Sequence, residues 1–147
     1  MESCLFHPQY GYYLQKGPII GNEGDFTTAP EISQLFGESI ALFIANYISP
    51  LSEKFRIVEL GPGRGTLATD VMKVINAIPN IRNRFDEYVF IEKSEQMQSL
   101  QNKALNNTNR SFYPKISHYP SNLPGTINIV VANEFFDVLP VNLIKVK

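Results

Sequence analysis

Apolar residues Ile32, Leu35, Phe36, Ile40, Phe43, Ile44, Tyr47 and Ile48 recur at spacings of three and four and predict one amphipathic helix over Ile32 to Ile48. Thr28-Ala29-Pro30-Glu31 ahead of it reads as a capping box. The Thr28 hydroxyl and the Glu31 carboxylate would each satisfy an orphan backbone donor, and Pro30 stands where a missing N–H costs nothing. Ser49-Pro50 ends the helix. Short apolar runs then alternate with amphipathic stretches: strand Phe55 to Leu60, helix Thr66 to Ile78, strand Tyr88 to Ile91, helix Ser94 to Leu105 and strand Ile127 to Ala132. This is the rhythm of βαβ units, and the near-continuous apolar character of the first and last of these strands predicts a parallel sheet buried on both faces. Between Asn106 and Pro124, a stretch with three prolines, one more short strand is expected around Lys115 to His118. Leu143 to Val146 reads as the start of another strand. A sheet ending there would leave an open apolar edge able to recruit a C-terminal partner chain, a second copy or an aggregate. Residues 1–29, rich in Gly, Pro and Tyr, predict an ordered loop region ahead of a domain over 30–147.

Composition narrows the class. Leu, Ile, Val and Phe supply 46 of the 147 residues, which excludes disorder for the bulk of the chain. Thirteen basic against fourteen acidic residues, a net charge of −1, offer no general attraction to nucleic acid or to an anionic membrane, so neither is expected as a partner. One cysteine, Cys4, and two histidines, His7 and His118, are too few for a zinc site and exclude an intrachain disulfide. The N-terminus carries no apolar signal core and no Arg-rich amphipathic transit segment, and no run of eighteen apolar residues occurs. A reducing, cytoplasmic location is expected, or the mitochondrial matrix for a eukaryotic source.

The chemistry concentrates in three places. In Glu59-Leu60-Gly61-Pro62-Gly63-Arg64-Gly65-Thr66 a predicted strand passes through three alternating glycines into a helix. Such glycines permit positive φ and close backbone approach to a ligand, while the helix start presents free N–H groups. The dinucleotide fingerprint G-x-G-x-x-G needs its third glycine where Thr66 stands, which disfavours a nicotinamide cofactor. Glu92, closing the strand Tyr88 to Ile91, is placed to accept from both ribose hydroxyls of an adenosine ligand; a solvated strand-end glutamate is the plainer alternative. Asn133-Glu134-Phe135-Phe136-Asp137-Val138-Leu139-Pro140 follows the last complete strand, so it should lie beside the glycine loop. Glu134 and Asp137 share a face if the segment makes a helical turn, and together could hold a guanidinium; the competing reading makes one of them a helix cap while Phe135 and Phe136 pack. Asp25, between Gly24 and Phe26, is a further candidate contact or an Asx-turn residue.

These motifs, with Gly24-Asp25-Phe26-Thr27-Thr28-Ala29-Pro30-Glu31-Ile32-Ser33, Phe36-Gly37-Glu38 and the opening His7-Pro8-Gln9-Tyr10-Gly11-Tyr12-Tyr13, resemble the MidA family of S-adenosylmethionine-dependent methyltransferases, which includes the mitochondrial protein arginine methyltransferase that assists complex I assembly. The resemblance implies an α/β, Rossmann-like class I methyltransferase fold, present in part with the C-terminal strands missing, and S-adenosyl-L-methionine as cofactor. It also implies a protein arginine as acceptor. It assigns Asp25, Glu59, Gly61, Gly63, Gly65, Glu92 and Asn133 to the cofactor and Glu134 and Asp137 to catalysis. Family members are longer at both ends, so this chain is expected to be their cofactor half. Two other readings stay open: a partner-binding remnant without turnover, and a nicotinamide-dependent oxidoreductase.

Overall fold

A computed structural model describes residues 4–5, 7, 9–12, 27–137, 139–141 and 144. Four parallel strands, β1 (Lys54–Leu60), β2 (Phe85–Ile91), β3 (Arg110–Tyr113) and β4 (Thr126–Val131), form one sheet in the order β3-β2-β1-β4. Among the described residues, the helices beside it are α1 (Ala29–Ile32), α2 (Gln34–Ile48), α3 (Thr66–Ala77), α4 (Pro79–Arg82) and α5 (Glu95–Ala104).

The order follows from chirality. Right-handed crossovers carry the chain from β1 to β2 to β3 in one direction with α3 and α5 on one face; the return from β3 to β4, past β1, must then cross the opposite face. The two apolar clusters match. Phe55, Ile57, Tyr88 and Phe90 point toward Ala41, Ile44 and Ile48 of α2 and Leu67, Val71 and Ile75 of α3. Val58, Leu60, Val89 and Ile91 point the other way, where Tyr119 of the β3–β4 connection covers them. The Tyr119 hydroxyl donates to Asn128 Oδ1 at 2.6 Å, and Asn128 donates to the Ser121 carbonyl at 2.7 Å, which holds the connection against β4.

Three expectations are corrected. The first helix is broken: Ser33 is extended (φ −150°, ψ 124°) and separates α1 from α2. Thr28 makes no side-chain cap, and Glu31 does not reach back to it; the Glu31 carboxylate accepts from the Thr66 hydroxyl and faces Arg64 at 3.8 Å, while Ser33 Oγ caps α2 by accepting from the Leu35 amide. A tertiary partner outcompeted the local capping box. The third strand lies at Arg110–Tyr113, and the expected strand at Lys115 to His118 is instead a single 3-10 turn over Ile116–His118. Phe112 explains the choice, because at its position it stacks on Phe90 with centroids 5.2 Å apart. The expected strand at Leu143 to Val146 lies outside the described residues apart from Ile144, as does most of the loop region over 1–29. Within that region the His7 ring accepts from the Gln9 and Tyr10 amides.

α2 and α3 approach closely at Gly37, where a Cβ would lie 2.5 Å from the Cβ of Asp70. Both atoms sit at the backbone, so neither can swing aside. Gly37→Ala gains about 1 kcal/mol of helix propensity but overpacks at a cost of about 1–3 kcal/mol. Thermal unfolding should therefore show a melting temperature several degrees below the parent's; an unchanged or raised value would mean the helices separate freely.

Candidate functional site

β1 lies between β2 and β4, and the chain leaves it toward β2 on one face but reaches β4 across the other. That reversal makes the C-terminal ends of β1 and β4 the switch point where open α/β sheets bind ligands. The loop after β1 carries Gly61, Gly63 and Gly65, all left-handed with φ of 61°, 53° and 85°. A strand that must turn into a helix within five residues needs such angles, and only glycine adopts them without strain. Gly65 then caps α3, and the turn closes through the Gly65 amide on the Pro62 carbonyl at 3.0 Å. The Gly61 amide donates to the Ile91 carbonyl at 3.2 Å, so the loop is also pinned to the end of β2.

Neighbours crowd two of these glycines. A Cβ on Gly61 would meet Phe135 Cδ2 at 2.7 Å, and one on Gly65 would meet Ala104 Cβ at 3.2 Å and Gln101 Cα at 3.4 Å. The segment after β4 and helix α5 thus close on the loop from two sides, with the expected juxtaposition of the loop and residues 133–137 realised through the Phe135 ring.

Glu92 stands just past β2, as expected. Its Oε1 accepts from the Ser94 amide at 2.7 Å, and Ser94 in turn caps α5. Burial raises its pKa from the ordinary carboxylate value, opposed by hydrogen bonds from the Ser94 backbone, Gln101 and the Lys93 backbone. Glu59 is placed differently from the cofactor contact expected of it. It is 3% exposed, turned to the helix side of β1, and accepts from the Tyr88 hydroxyl at 2.6 Å. It lies beneath the loop rather than on its open surface. Asn133 is half-buried at the end of β4. Asp25 lies outside the described residues.

Glu134 and Asp137 do not share the face of a helical turn, which corrects the expected pairing. Residues 133–137 form bends and a turn, and Glu134 takes φ 47°. Its Oε1 accepts from the Ala29 amide at 3.2 Å, so it caps α1, a role sequence reading had held as the alternative. Asp137 is exposed. Gln101, fully buried between α5 and the loop, was missed altogether; in Glu95-Gln96-Met97-Gln98-Ser99-Leu100-Gln101 nothing in the pattern separates a buried glutamine from its solvated neighbours. Among the described residues no group of three His, Cys, Asp or Glu is placed to hold a metal, and no helix is long and apolar enough to cross a membrane.

A family model described as "Putative S-adenosyl-L-methionine-dependent methyltransferase" matches residues 39–147. The chain belongs to that family. It is 35% identical to the human mitochondrial protein arginine methyltransferase NDUFAF7 over 97% of its own length and 31% identical to the Drosophila melanogaster homolog over 99%. It spans 37% of the length of each of these relatives. Among solved structures, a "likely methyl transferase" from Burkholderia thailandensis bound to S-adenosyl-homocysteine superposes with a TM-score of 0.76 at 27% identity, covering 95% of this chain and 36% of that one. The family therefore supplies S-adenosyl-L-methionine as cofactor and a class I methyltransferase sheet, of which β1 to β4 are the strands described.

Burial raises the Glu59 pKa from 4.5 to about 7, against the opposing bond from Tyr88. The folded chain thus binds this proton more tightly than the unfolded chain. The associated stability is complete below pH 4.5 and lost as pH rises through about 7, on the order of 3 kcal/mol by linkage. In Glu59→Gln, chemical denaturation between pH 5 and pH 8 should show a much shallower decline than in the parent; equal slopes would refute the assignment.

Proposed function

We propose that this chain forms the cofactor-binding part of a protein arginine methyltransferase, with the loop Gly61 to Gly65 against the amino-acid end of S-adenosyl-L-methionine and Glu92 on its ribose. One observation carries the reading: three left-handed glycines at the β1/β4 switch point, with a strand-end carboxylate beside them on β2. The fit is chemical as well as geometric. A neutral-backbone loop and a single acceptor carboxylate suit ribose hydroxyls and a zwitterionic amino acid better than a pyrophosphate, which prefers cations or a helix start free of acidic neighbours. Here Glu31 sits against Thr66 at the start of α3.

When bound, the cofactor supplies an electrophilic methyl on a sulfonium. This chain's residues would orient a guanidine nitrogen toward that methyl, and an acceptor-side carboxylate would take the proton the nitrogen releases. The chain's part is to orient both reactants and exclude water. Glu134 and Asp137, both exposed beyond β4, are the acceptor-side carboxylates in this reading, and Glu134 would share its Oε1 between the Ala29 amide and a guanidinium. Asn133 flanks the same end, Glu59 supports the loop from below, and Asp25, outside the described residues, is assigned to the cofactor by its motif alone. The name of the relatives supports arginine as the acceptor.

Isothermal titration of the chain with S-adenosylhomocysteine and with NADH tests this. The sulfur ligand should bind and NADH should not. Glu92→Gln should weaken the former roughly ten- to hundredfold, since hydrogen bonds to a charged acceptor are worth about 1.5–3 kcal/mol. NADH binding more tightly, or a variant indistinguishable from the parent, would overturn the site.

The sheet edge adds a second expectation. Among the described residues β4 pairs only with β1, and its Val130 is 55% exposed. We expect strand addition at this edge by a second copy, seen in sedimentation velocity as association that grows with concentration. A monomer at all concentrations would refute it.

A further inference from the structure

Gln101 is fully buried on α5, yet no reading of the family motifs includes it. Its Nε2 donates to the Gly63 carbonyl at 2.7 Å and lies 3.5 Å from Glu92 Oε2. Both partners are acceptors, so the amide orientation is fixed: nitrogen toward the loop and the carboxylate, oxygen away. The Gln101 Oε1 is buried and accepts no hydrogen bond within the described structure. The unpaired Oε1 carries a desolvation cost that an apolar side chain of the same shape would not, so what this amide contributes lies in the two bonds its nitrogen makes.

We propose that Gln101 is a positioning residue for the cofactor site, bridging the middle glycine of the loop to the ribose-side carboxylate so that the two hold a fixed separation before the cofactor arrives. The proposal rests on the assignment of that site to S-adenosyl-L-methionine. Its geometry is independent of it. Without the bridge, Gly63 and Glu92 lie on different crossovers, which the β1–β2 ladder and the Gly61 amide on the Ile91 carbonyl join beneath them. With it, α5 is fastened to the loop by a side chain, at the point where Gly65 leaves no room for a Cβ against Ala104.

The charge state of Glu92 provides a readout that mere packing would not move. The Gln101 amide, the Ser94 amide and the Lys93 amide are the hydrogen bonds that favour its carboxylate against burial. The charged side chains on the surrounding elements, Arg64 in the loop, Lys93, Glu95 and Lys103 on and beside α5, are all exposed, and Tyr113 on β3 is half-buried. Gln101→Met keeps the length and helix propensity of the side chain and removes the amide. The Glu92 carboxyl carbon, followed by NMR titration of the ligand-free chain, should then titrate at higher pH than in the parent. S-adenosylhomocysteine should bind about tenfold more weakly at neutral pH, with the acid limb of its binding profile displaced upward. Gln101→Glu, which sets a second carboxylate against the first, should displace the titration further in the same direction. In a cycle with Glu92→Gln the two losses of affinity should fall short of additive, because one acts through the other. An unmoved Glu92 titration in both variants overturns the proposal, as does full additivity. A parent chain that binds no S-adenosylhomocysteine overturns the cofactor assignment instead, and the NMR titration then decides the bridge by itself.

Discussion

The absence of side chains at Gly61 and Gly65 is the constraint from which the rest of the site follows. At each position the neighbouring surface has advanced into the space a Cβ would need, Phe135 at one and α5 at the other. The loop is therefore not a slack connection awaiting a ligand. Its left-handed backbone is held from both sides, and the turn that converts strand into helix also fixes where β4's trailing segment and α5 can dock. A strand-to-helix turn made from ordinary residues would push both away and open the switch point to solvent.

Around this turn, polar groups are sorted by depth. Glu59 and Tyr88 are buried beneath it on the helix side of the sheet; Glu92 and Gln101 lie level with it; Glu134 and Asp137 stand at the surface. Burial raises the Glu59 pKa to about 7 and also raises that of Glu92. One loop thereby places acidic groups of different character within two strands of one another.

Much of the fold was legible because the alternation of apolar runs and amphipathic stretches is the physical cause of the layered sheet. β1, β2 and β4 and the helices α3 and α5 fall within a few residues of their expected bounds. The failures share a reason. The loss of the Thr28 capping box and the placement of β3 at Arg110–Tyr113 were each decided by a partner distant in sequence: Thr66 for Glu31, Phe90 for Phe112. Local signals report local competition only. The same limit hid Gln101 and recast Glu134, whose spacing from Asp137 suggested a helical face but whose carboxylate was claimed by an amide 105 residues earlier. The glycine loop and Glu92 were legible because their conformational demands are written in residue type and spacing rather than in contacts.

The bond from the Ala29 amide to Glu134 spans 105 residues of chain. Glu31, two residues later, is bonded to Thr66, so this short helix is fastened both to the first crossover and to the segment after the fourth strand. Closing so long a loop costs chain entropy that only an already assembled sheet can repay. The corner where Ala29, Glu31, Thr66 and Glu134 meet accordingly depends on β1 and β4 being paired first. During synthesis this first turn of helix must wait, uncapped at its start, until the ribosome has delivered the segment after β4.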